Sequence, residues 1–507
     1  MPSLKVKRVF YIFIVIVGVL FTHHAYFPGL MTADTSDQLH EAQTFHFVDW
    51  HPPIMALIWS LTDKVVPGPE GFFLLQIALY WGGFLLIGLA IINELNTSVA
   101  SYLKYVILCL LPFSPFLLNV CGTIWKDVFV FGCFGVALGL IPLRTEGSTI
   151  WSWRSAVIWG LLVMGSLARH NSIVAAVPLL VLHLWPQAPD RRLLLTVLGR
   201  GLVAAALTVT TVSGVDKALD TLVLHSTKRH IENSIFLFDL VGISHRINQN
   251  LIPGPWSDDE TNQILTACYT PMHWDSVSPW GNCHFVFDRL WDSGAWQKGL
   301  LPLWERAVVK NPKEYLAHRL DYMHTLLWPQ TTFIEPNRTS LEFGFAENTI
   351  FRFIRSAVIF STTHFPLYIV LTAAFWIGMS VALSVILFIL YLARPSAYYR
   401  AQLVALSAAF YAVPLAVVGP AGDYRYVYWT AGATCIAALL AQNAAKSLIR
   451  AAAAPDRRDS ACASPHAGRA SPSRARGRTR GSRTPPALFQ SPTPRSESAG
   501  RGRSRNR

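Results

Sequence analysis

The residues best suited to chemistry lie close together near the start of the chain. Residues 31 to 53, MTADTSDQLHEAQTFHFVDWHPP, contain Asp34, Asp37, Asp49 and His51. A carboxylate can accept a proton from a hydroxyl or hold a divalent metal, and histidine exchanges protons near neutral pH. We therefore take Asp34 and Asp37 as candidate catalytic residues, either of which would contact a metal if one is needed. Asp49 and His51 are candidates for binding substrate.

Three later segments, which lie at the ends of apolar runs, add cations and further polar groups. These are Lys126 and Asp127 in GTIWKD, Arg169, His170 and Asn171 in ARHN, and Asp423 and Arg425 in GDYRY. Transfer of a sugar from a lipid phosphate needs a base for the acceptor hydroxyl and cations for the departing phosphate. Arginine binds phosphate in a bidentate manner, and lysine supplies a point charge. We expect these residues to contact the substrate.

Structural explanations remain open for the same residues. Asp37 to Glu41 resembles a capping box, so the acids of this segment could cap a helix. Lys126 and Asp127 could mark a helix N-terminus with an acid in its first turn. Arg169 and Arg425 could contact only lipid headgroups.

The composition identifies an integral membrane protein. Of the 507 residues, 52% are hydrophobic and only 14% are charged, with mean hydropathy +0.34, which is too apolar for a soluble domain. The net charge of +13 does not indicate a nucleic-acid partner, because residues 451 to 507 hold thirteen Arg and three acids, a net +10 (13 − 3). This Arg/Ser/Pro-rich tail is expected to be disordered and cytoplasmic.

The hydropathy pattern predicts about ten membrane-spanning helices. They are expected at 9–27, 71–92, 102–119, 127–143, 155–168, 172–186, 193–213, 366–393, 401–418 and 427–445. Lys5, Lys7 and Arg8 place the N-terminus in the cytoplasm. Merging 155–168 with 172–186 into one helix is the alternative, but it would put Arg191 and Arg192 outside. With ten spans both termini are cytoplasmic, and all the candidate site residues lie on the outer face.

The same pattern gives a domain layout. We expect an N-terminal transmembrane module over residues 1–213, a large extracytoplasmic loop domain over 214–350, and C-terminal transmembrane helices over 351–450, before the tail at 451–507. The catalytic first outer loop is assigned to residues 28–70, with an amphipathic interfacial helix between residues 51 and 69. Cys268 and Cys283 lie in the extracytoplasmic region, where an oxidising compartment favours a disulfide.

The motifs TADTSDQLHEAQT, DWHPP, WKD, ARHN and DYRY together resemble the GT-C superfamily of multispanning glycosyltransferases. The resemblance is to bacterial members related to the protein O-mannosyltransferases and the lipid A aminoarabinose transferase. It implies an all-α polytopic fold, a polyprenyl-phosphate sugar donor, and catalysis on the non-cytoplasmic face of the bacterial cytoplasmic membrane. By position, Asp34 matches the key acid of the family and Asp37 is a second candidate. The adjacent Asp-Glu of the mannosyltransferases is missing, which leaves the base and metal dependence open.

The expected function is therefore transfer of a sugar from a polyprenyl-phosphate donor to an envelope glycan, lipid or protein. A divalent metal is the one cofactor that remains open. The alternative is a transporter or flippase for a lipid-linked anionic substrate. A transporter is expected to show an internal repeat and polar residues at mid-membrane depth. The chain shows no internal repeat and few such polar residues, which counts against this alternative.

Overall fold

A computed structural model describes residues 3–141, 152–188, 194–328 and 335–453, with side chains described as far as residue 441. Within these ranges all regular secondary structure is helical, and strand-like pairing occurs only as isolated bridges. The sequence prediction of an all-α fold agrees with this architecture. Apart from residues 451 to 453, which end the last helix, the predicted disordered tail lies outside the described residues.

Ten α-helices occur among the described residues of the first half of the chain. They are α1 (Leu4–Tyr26), α2 (Ala33–Thr44), α3 (Ile54–Asp63), α4 (Pro69–Asn93), α5 (Val99–Leu110), α6 (Pro115–Cys121), α7 (Lys126–Leu140), α8 (Trp153–Ala168), α9 (Ser172–Leu184) and α10 (Leu194–Leu219). A π-helical turn, Asp220–Leu224, extends α10.

The second half begins with shorter helices and ends with long ones. The shorter helices are α11 (Asn233–Ile247), α12 (Asp258–Thr266), α13 (Phe285–Asp292), α14 (Ala295–Lys298), α15 (Leu301–Lys310), α16 (Pro312–Leu327) and α17 (Arg338–Glu342). The last group is α18 (Thr349–Thr363), α19 (Ala373–Ala393), α20 (Pro395–Ala412), α21 (Leu415–Val418) and α22 (Tyr428–Ala453).

Five helical stretches among the described residues are long and apolar enough to cross a membrane. They are Pro69–Asn93, Val99–Cys121, Leu195–Leu224, Ala373–Ala393 and Pro395–Val418. The other five predicted spans coincide with α1, α7, α8, α9 and α22. The count of ten spans therefore remains a prediction, whereas the membrane-spanning character of the chain rests on the five long stretches.

Two predicted boundaries can be compared directly with the structure. The segment from 155 to 186 forms two helices, because Arg169 adopts an extended backbone (φ −150°, ψ 129°) that ends α8. This confirms the prediction of two helices over the single long one. By contrast, α10 and its π-helical turn continue to Leu224, past the expected end at 213, because apolar residues such as Val215 and Leu219 continue its packed face.

Contacts at one end of the bundle fix the direction of several helices. Arg8 donates to Asn93 Oδ1 at 2.9 Å, and Arg400 lies 3.6 Å from Glu94. The start of α1, the end of α4 and the start of α20 therefore lie together. The opposite ends of these helices lead to the first loop and to the residues near Tyr411, where the candidate site is found.

The 214–350 region has a hydrophobic core that is partly shared with the transmembrane helices. Leu237, Ile243 and Trp296 form one buried cluster with Leu415 of α21 and Val427 just before α22. A disulfide joins Cys268 to Cys283 beside this core. The shared core holds the region against the end of the bundle that carries the candidate site.

Candidate functional site

The first loop contains a helix that sets the position of its acids. Thr32 precedes α2, and Thr35 Oγ1 accepts a hydrogen bond from the Thr32 backbone N–H at 2.6 Å, which closes a capping box. The interpretation of Asp37 as the cap is therefore wrong. Asp34 lies in the first turn instead, and Asp37 and Glu41 follow at helical spacing on the same side of α2.

Three isolated bridges fasten this loop and the later turns to one another. Backbone hydrogen bonds of 3.0 Å link Leu30 with the GTIWKD segment on both sides. Val48 pairs in the same way with Thr227, and His273 pairs with Ala421 at the start of the GDYRY turn. Segments that are 93 (123 − 30), 179 (227 − 48) and 148 (421 − 273) residues apart in the sequence are thereby held side by side.

A chain of four ionisable side chains forms the centre of the candidate site. Arg425 Nη1 lies 3.3 Å from Asp34 Oδ2, and His51 Nε2 lies 3.9 Å from Asp34 Oδ1. Lys126 Nζ lies 3.2 Å from His51 Nδ1. The distance between His51 and Asp34 is too long for a hydrogen bond, so their interaction is electrostatic.

Arg425 is fixed from several directions. Its Nε lies 3.0 Å from Asp423 Oδ2, and the guanidinium covers the ring of Trp125 at 4.6 Å from the centroid. The Asp34 side chain remains 35% exposed and is the accessible member of the pair. Burial alone would raise the pKa of Asp34, but Arg425, His51 and Lys126 outweigh it and lower this pKa to about 2. Asp34 is therefore ionised at neutral pH.

His51 is neutral at the same pH. Burial is the main cause, and the nearby Lys126 ammonium adds to it, so the pKa of His51 falls to about 3. Because the Lys126 ammonium can only donate, His51 Nδ1 is the acceptor of this contact and Nε2 carries the proton. The Nε2–H group is then on the side of the ring that faces Asp34.

Asp127 and Arg169, which were also predicted as site residues, form a buried ion pair next to this chain of side chains. Asp127, in the first turn of α7, is fully buried and pairs with Arg169 Nη1. Arg169 also donates to Asn171 Oδ1 at 3.1 Å, and Asn171 donates to the Tyr411 carbonyl at 2.9 Å. These contacts tie α7, the ARHN turn and α20 together, so Arg169 is engaged inside the protein.

The remaining predicted residues are more dispersed. Asp49 Oδ1 accepts a hydrogen bond from the Arg229 backbone N–H and so anchors the first loop to the segment after α10. His170 lies exposed in the ARHN turn. Asp37 is exposed on α2 and faces a cavity rather than Arg425.

The donor set around Asp34 does not fit a divalent metal. Arg425 and Lys126 lie near the carboxylate, and their positive potential opposes binding of a metal cation. In the part of the chain that the structure describes, no group of three His, Cys, Asp or Glu side chains is arranged to hold a metal ion.

A cavity of about 750 Å³ opens beside the ionisable chain, between α2, the segment after it, and the region around α13. His51 belongs both to the ionisable chain and to the wall of this cavity. The cavity wall includes residues that the sequence analysis did not select as site residues: Glu41, Trp50, Arg229, Trp280 and Trp291. For Glu41, its helical spacing from Asp34 and Asp37 was the available signal.

No family model matches the chain, and no curated protein matches it in sequence. Among solved structures, it is similar to the archaeal oligosaccharyltransferase AglB from Archaeoglobus fulgidus, in complex with an inhibitory peptide and a dolichol-phosphate. The similarity covers 88% of this chain and 52% of that chain, with 13% sequence identity and a TM-score of 0.36. The chain thus spans about half the length of AglB.

Proposed function

We propose that this protein is a membrane glycosyltransferase that moves a sugar from a polyprenyl-phosphate donor to an acceptor in the cell envelope. The observation that carries the proposal is the contact between Asp34 and Arg425, with His51 and Lys126 alongside. An accessible carboxylate and two fixed cations meet at one end of an apolar helical bundle. Sugar transfer from a lipid phosphate needs this combination at a membrane surface.

In this proposal Arg425 and Lys126 bind the phosphate of the donor lipid. Phosphate forms charge-assisted hydrogen bonds with arginine and lysine. A bound phosphate competes with Asp34 for Arg425, and loss of that pairing raises the pKa of Asp34. Asp34 then becomes a better base for the acceptor hydroxyl, because proton transfer is most efficient when the pKa of the base lies near the working pH.

The balance of the reaction follows from these roles. The acceptor oxygen forms a bond with the anomeric carbon of the donor sugar, while the bond between that carbon and the phosphate oxygen breaks. Asp34 takes the hydroxyl proton, and Arg425 and Lys126 stabilise the negative charge that develops on the phosphate. Arg169 acts indirectly, since its pair with Asp127 holds the start of α7, and therefore Lys126, in place.

We assign the site to the outer face of the bacterial cytoplasmic membrane, with both termini in the cytoplasm. Support comes from the basic residues near the start of α1 and from the contacts of Arg8 and Arg400 at the bundle end opposite the site. This assignment lets a lipid phosphate at the membrane surface reach Arg425 without entering the hydrocarbon layer.

The test is sugar transfer from a panel of labelled polyprenyl-phosphate sugars to envelope extracts, using membranes with the wild type, Lys126→Met or the control Lys310→Gln. Lys310 is an exposed residue at the end of α15, outside the site. We expect transfer by the wild type and the control, and a raised donor KM for Lys126→Met. Absence of transfer with every donor would contradict the proposal. Movement of the labelled lipid across the membrane without transfer would favour a flippase.

A further inference from the structure

The cavity beside the ionisable chain has a wall of mixed chemistry. Trp50 and Trp280 meet edge to face with ring centroids 5.6 Å apart, and Trp280 is 59% exposed. Phe287 and Trp291 of α13 extend the aromatic part of the wall. Tryptophan offers a large apolar surface that also tolerates polar neighbours. Such a wall suits a ligand that has both an apolar face and a polar edge.

The charges of the wall exclude an anion as the natural occupant. The described lining residues include four carboxylates against one guanidinium, that of Arg229. The carboxylates belong to Asp37, Glu41, Asp288 and Asp292. Like charges disfavour binding of a phosphate here, whereas hydroxyl and amine groups would find acceptors. The donor phosphate therefore belongs with Arg425 and Lys126, and the cavity is free for a different part of the reaction.

Glu41 gives an independent indication of a ligand. Its side chain is only 5% exposed, it lines the cavity, and its Oε2 atom has no hydrogen-bond partner among the described residues. A buried polar atom without a partner costs free energy, so such atoms are normally satisfied by another group. A ligand hydroxyl or amine in the cavity would supply that group.

We propose that this cavity binds the acceptor as a saccharide, with the sugar rings against Trp280 and a hydroxyl or amine on Glu41. Sugar rings combine an apolar C–H face with a polar hydroxyl edge, which matches the wall. His51 lies at the boundary between the cavity and Asp34, so an acceptor hydroxyl beside His51 is also next to the base. The acceptor role rests on the function proposed above, whereas the binding of a saccharide does not.

The first test measures binding alone, with the purified full-length protein and titration calorimetry. The probes are chitotriose and maltotriose, with inorganic pyrophosphate as an anionic comparison. The variants are Trp280→Ala and Glu41→Leu, and the matched control is Trp153→Ala, a tryptophan 70% exposed at the start of α8. We expect wild type and control to bind at least one trisaccharide, and both cavity variants to bind it about two- to tenfold more weakly.

Glu41→Leu separates ligand binding from a structural role of this side chain. The Oε2 atom of Glu41 has no hydrogen-bond partner among the described residues, but the carboxyl group also has a hydrogen bond with the Val48 backbone. Glu41→Leu should therefore lower the thermal unfolding temperature by no more than the loss of one hydrogen bond would cause. Failure of both trisaccharides to bind the wild type would overturn the proposal, as would unchanged binding in both cavity variants.

A second test identifies which sugar occupies the site. In the transfer assay, Trp280→Ala should raise the acceptor KM and leave the donor KM unchanged. A raised donor KM instead would place the donor sugar in the cavity and overturn the acceptor assignment. If no donor supports transfer while trisaccharide binding still depends on Trp280 and Glu41, the glycosyltransferase function fails but the saccharide site stands.

Discussion

Asp34→Asn is the substitution that tests the chemistry most directly. Asparagine keeps the size of the side chain but cannot take the proton of an acceptor hydroxyl. General base catalysis contributes roughly 10²- to 10⁴-fold to a rate, or about 3 to 5 kcal/mol at the barrier. We expect the turnover number for sugar transfer to fall by that factor.

The effect on stability should be much smaller. The Asp34 side chain is 35% exposed and its partner Arg425 is 16% exposed, so solvent screens the pair in part; with the pKa of Asp34 lowered to about 2, the contribution is about 1 to 2 kcal/mol. Folded proteins are stable by roughly 5 to 15 kcal/mol, so a loss of this size leaves nearly all molecules folded. Reduced activity of Asp34→Asn therefore cannot be explained by unfolding.

The assay compares wild type, Asp34→Asn and Asp259→Asn at matched protein levels in membranes, with labelled donor lipid at saturating concentration. Asp259 is an exposed acid in the first turn of α12, outside the site, and makes the same change of charge. A rate for Asp34→Asn within a factor of two of the wild type would refute the role of Asp34 as base. An equal loss in Asp259→Asn would show that the effect is not specific to the site.

Three further outcomes are expected. Asp127→Asn should leave Arg169 buried without its partner and lower the free energy of unfolding by about 3 to 5 kcal/mol, measured by thermal unfolding in detergent; an unchanged midpoint would contradict a structural pair. Replacing Cys268 and Cys283 by Ser should lower stability by about 3 kcal/mol for a loop of this length, and equal midpoints would show that the bond contributes nothing. Burial and Asp37 raise the pKa of Glu41 from 4.5 to about 7. Between pH 4.5 and pH 7 the unfolded chain therefore releases this proton before the folded protein does, so the free energy of unfolding of the wild type should fall relative to that of Glu41→Gln as the pH rises. A difference between the two proteins that does not vary with pH would refute the shift.

Much of the helical layout could be predicted from apolar runs and breakers. Arg169, His170 and Asn171 interrupt an apolar stretch, and the structure has two helices there. The helix α2 was harder to predict, because it is polar and lacks the apolar stripe that signals an amphipathic helix. Its start depends on a capping box between Thr32 and Thr35 that was not recognised.

Charge and topology suggested that the site residues share one face, but not which residues pair. Asp34 and Arg425 are 391 residues apart, and no local pattern links them. Sequence reasoning grouped Arg169 with the phosphate ligands, whereas the structure engages it with Asp127. The cavity was missed because its wall combines α2 with α13, and a wall built from distant segments has no periodic signature in the sequence.

The pairing of Asp34 with Arg425 also has a consequence for how the protein is made. The ribosome synthesises Asp34 391 residues before Arg425, an interval of roughly 20 to 80 s at 5 to 20 residues per second. During that time the first loop lacks its cation, and the site is incomplete until the segment before α22 has been delivered to the same side of the membrane. In the proposed function, a nascent or truncated chain that stops before Arg425 would therefore be inactive, and activity would begin only once the segment before the last helix is in place.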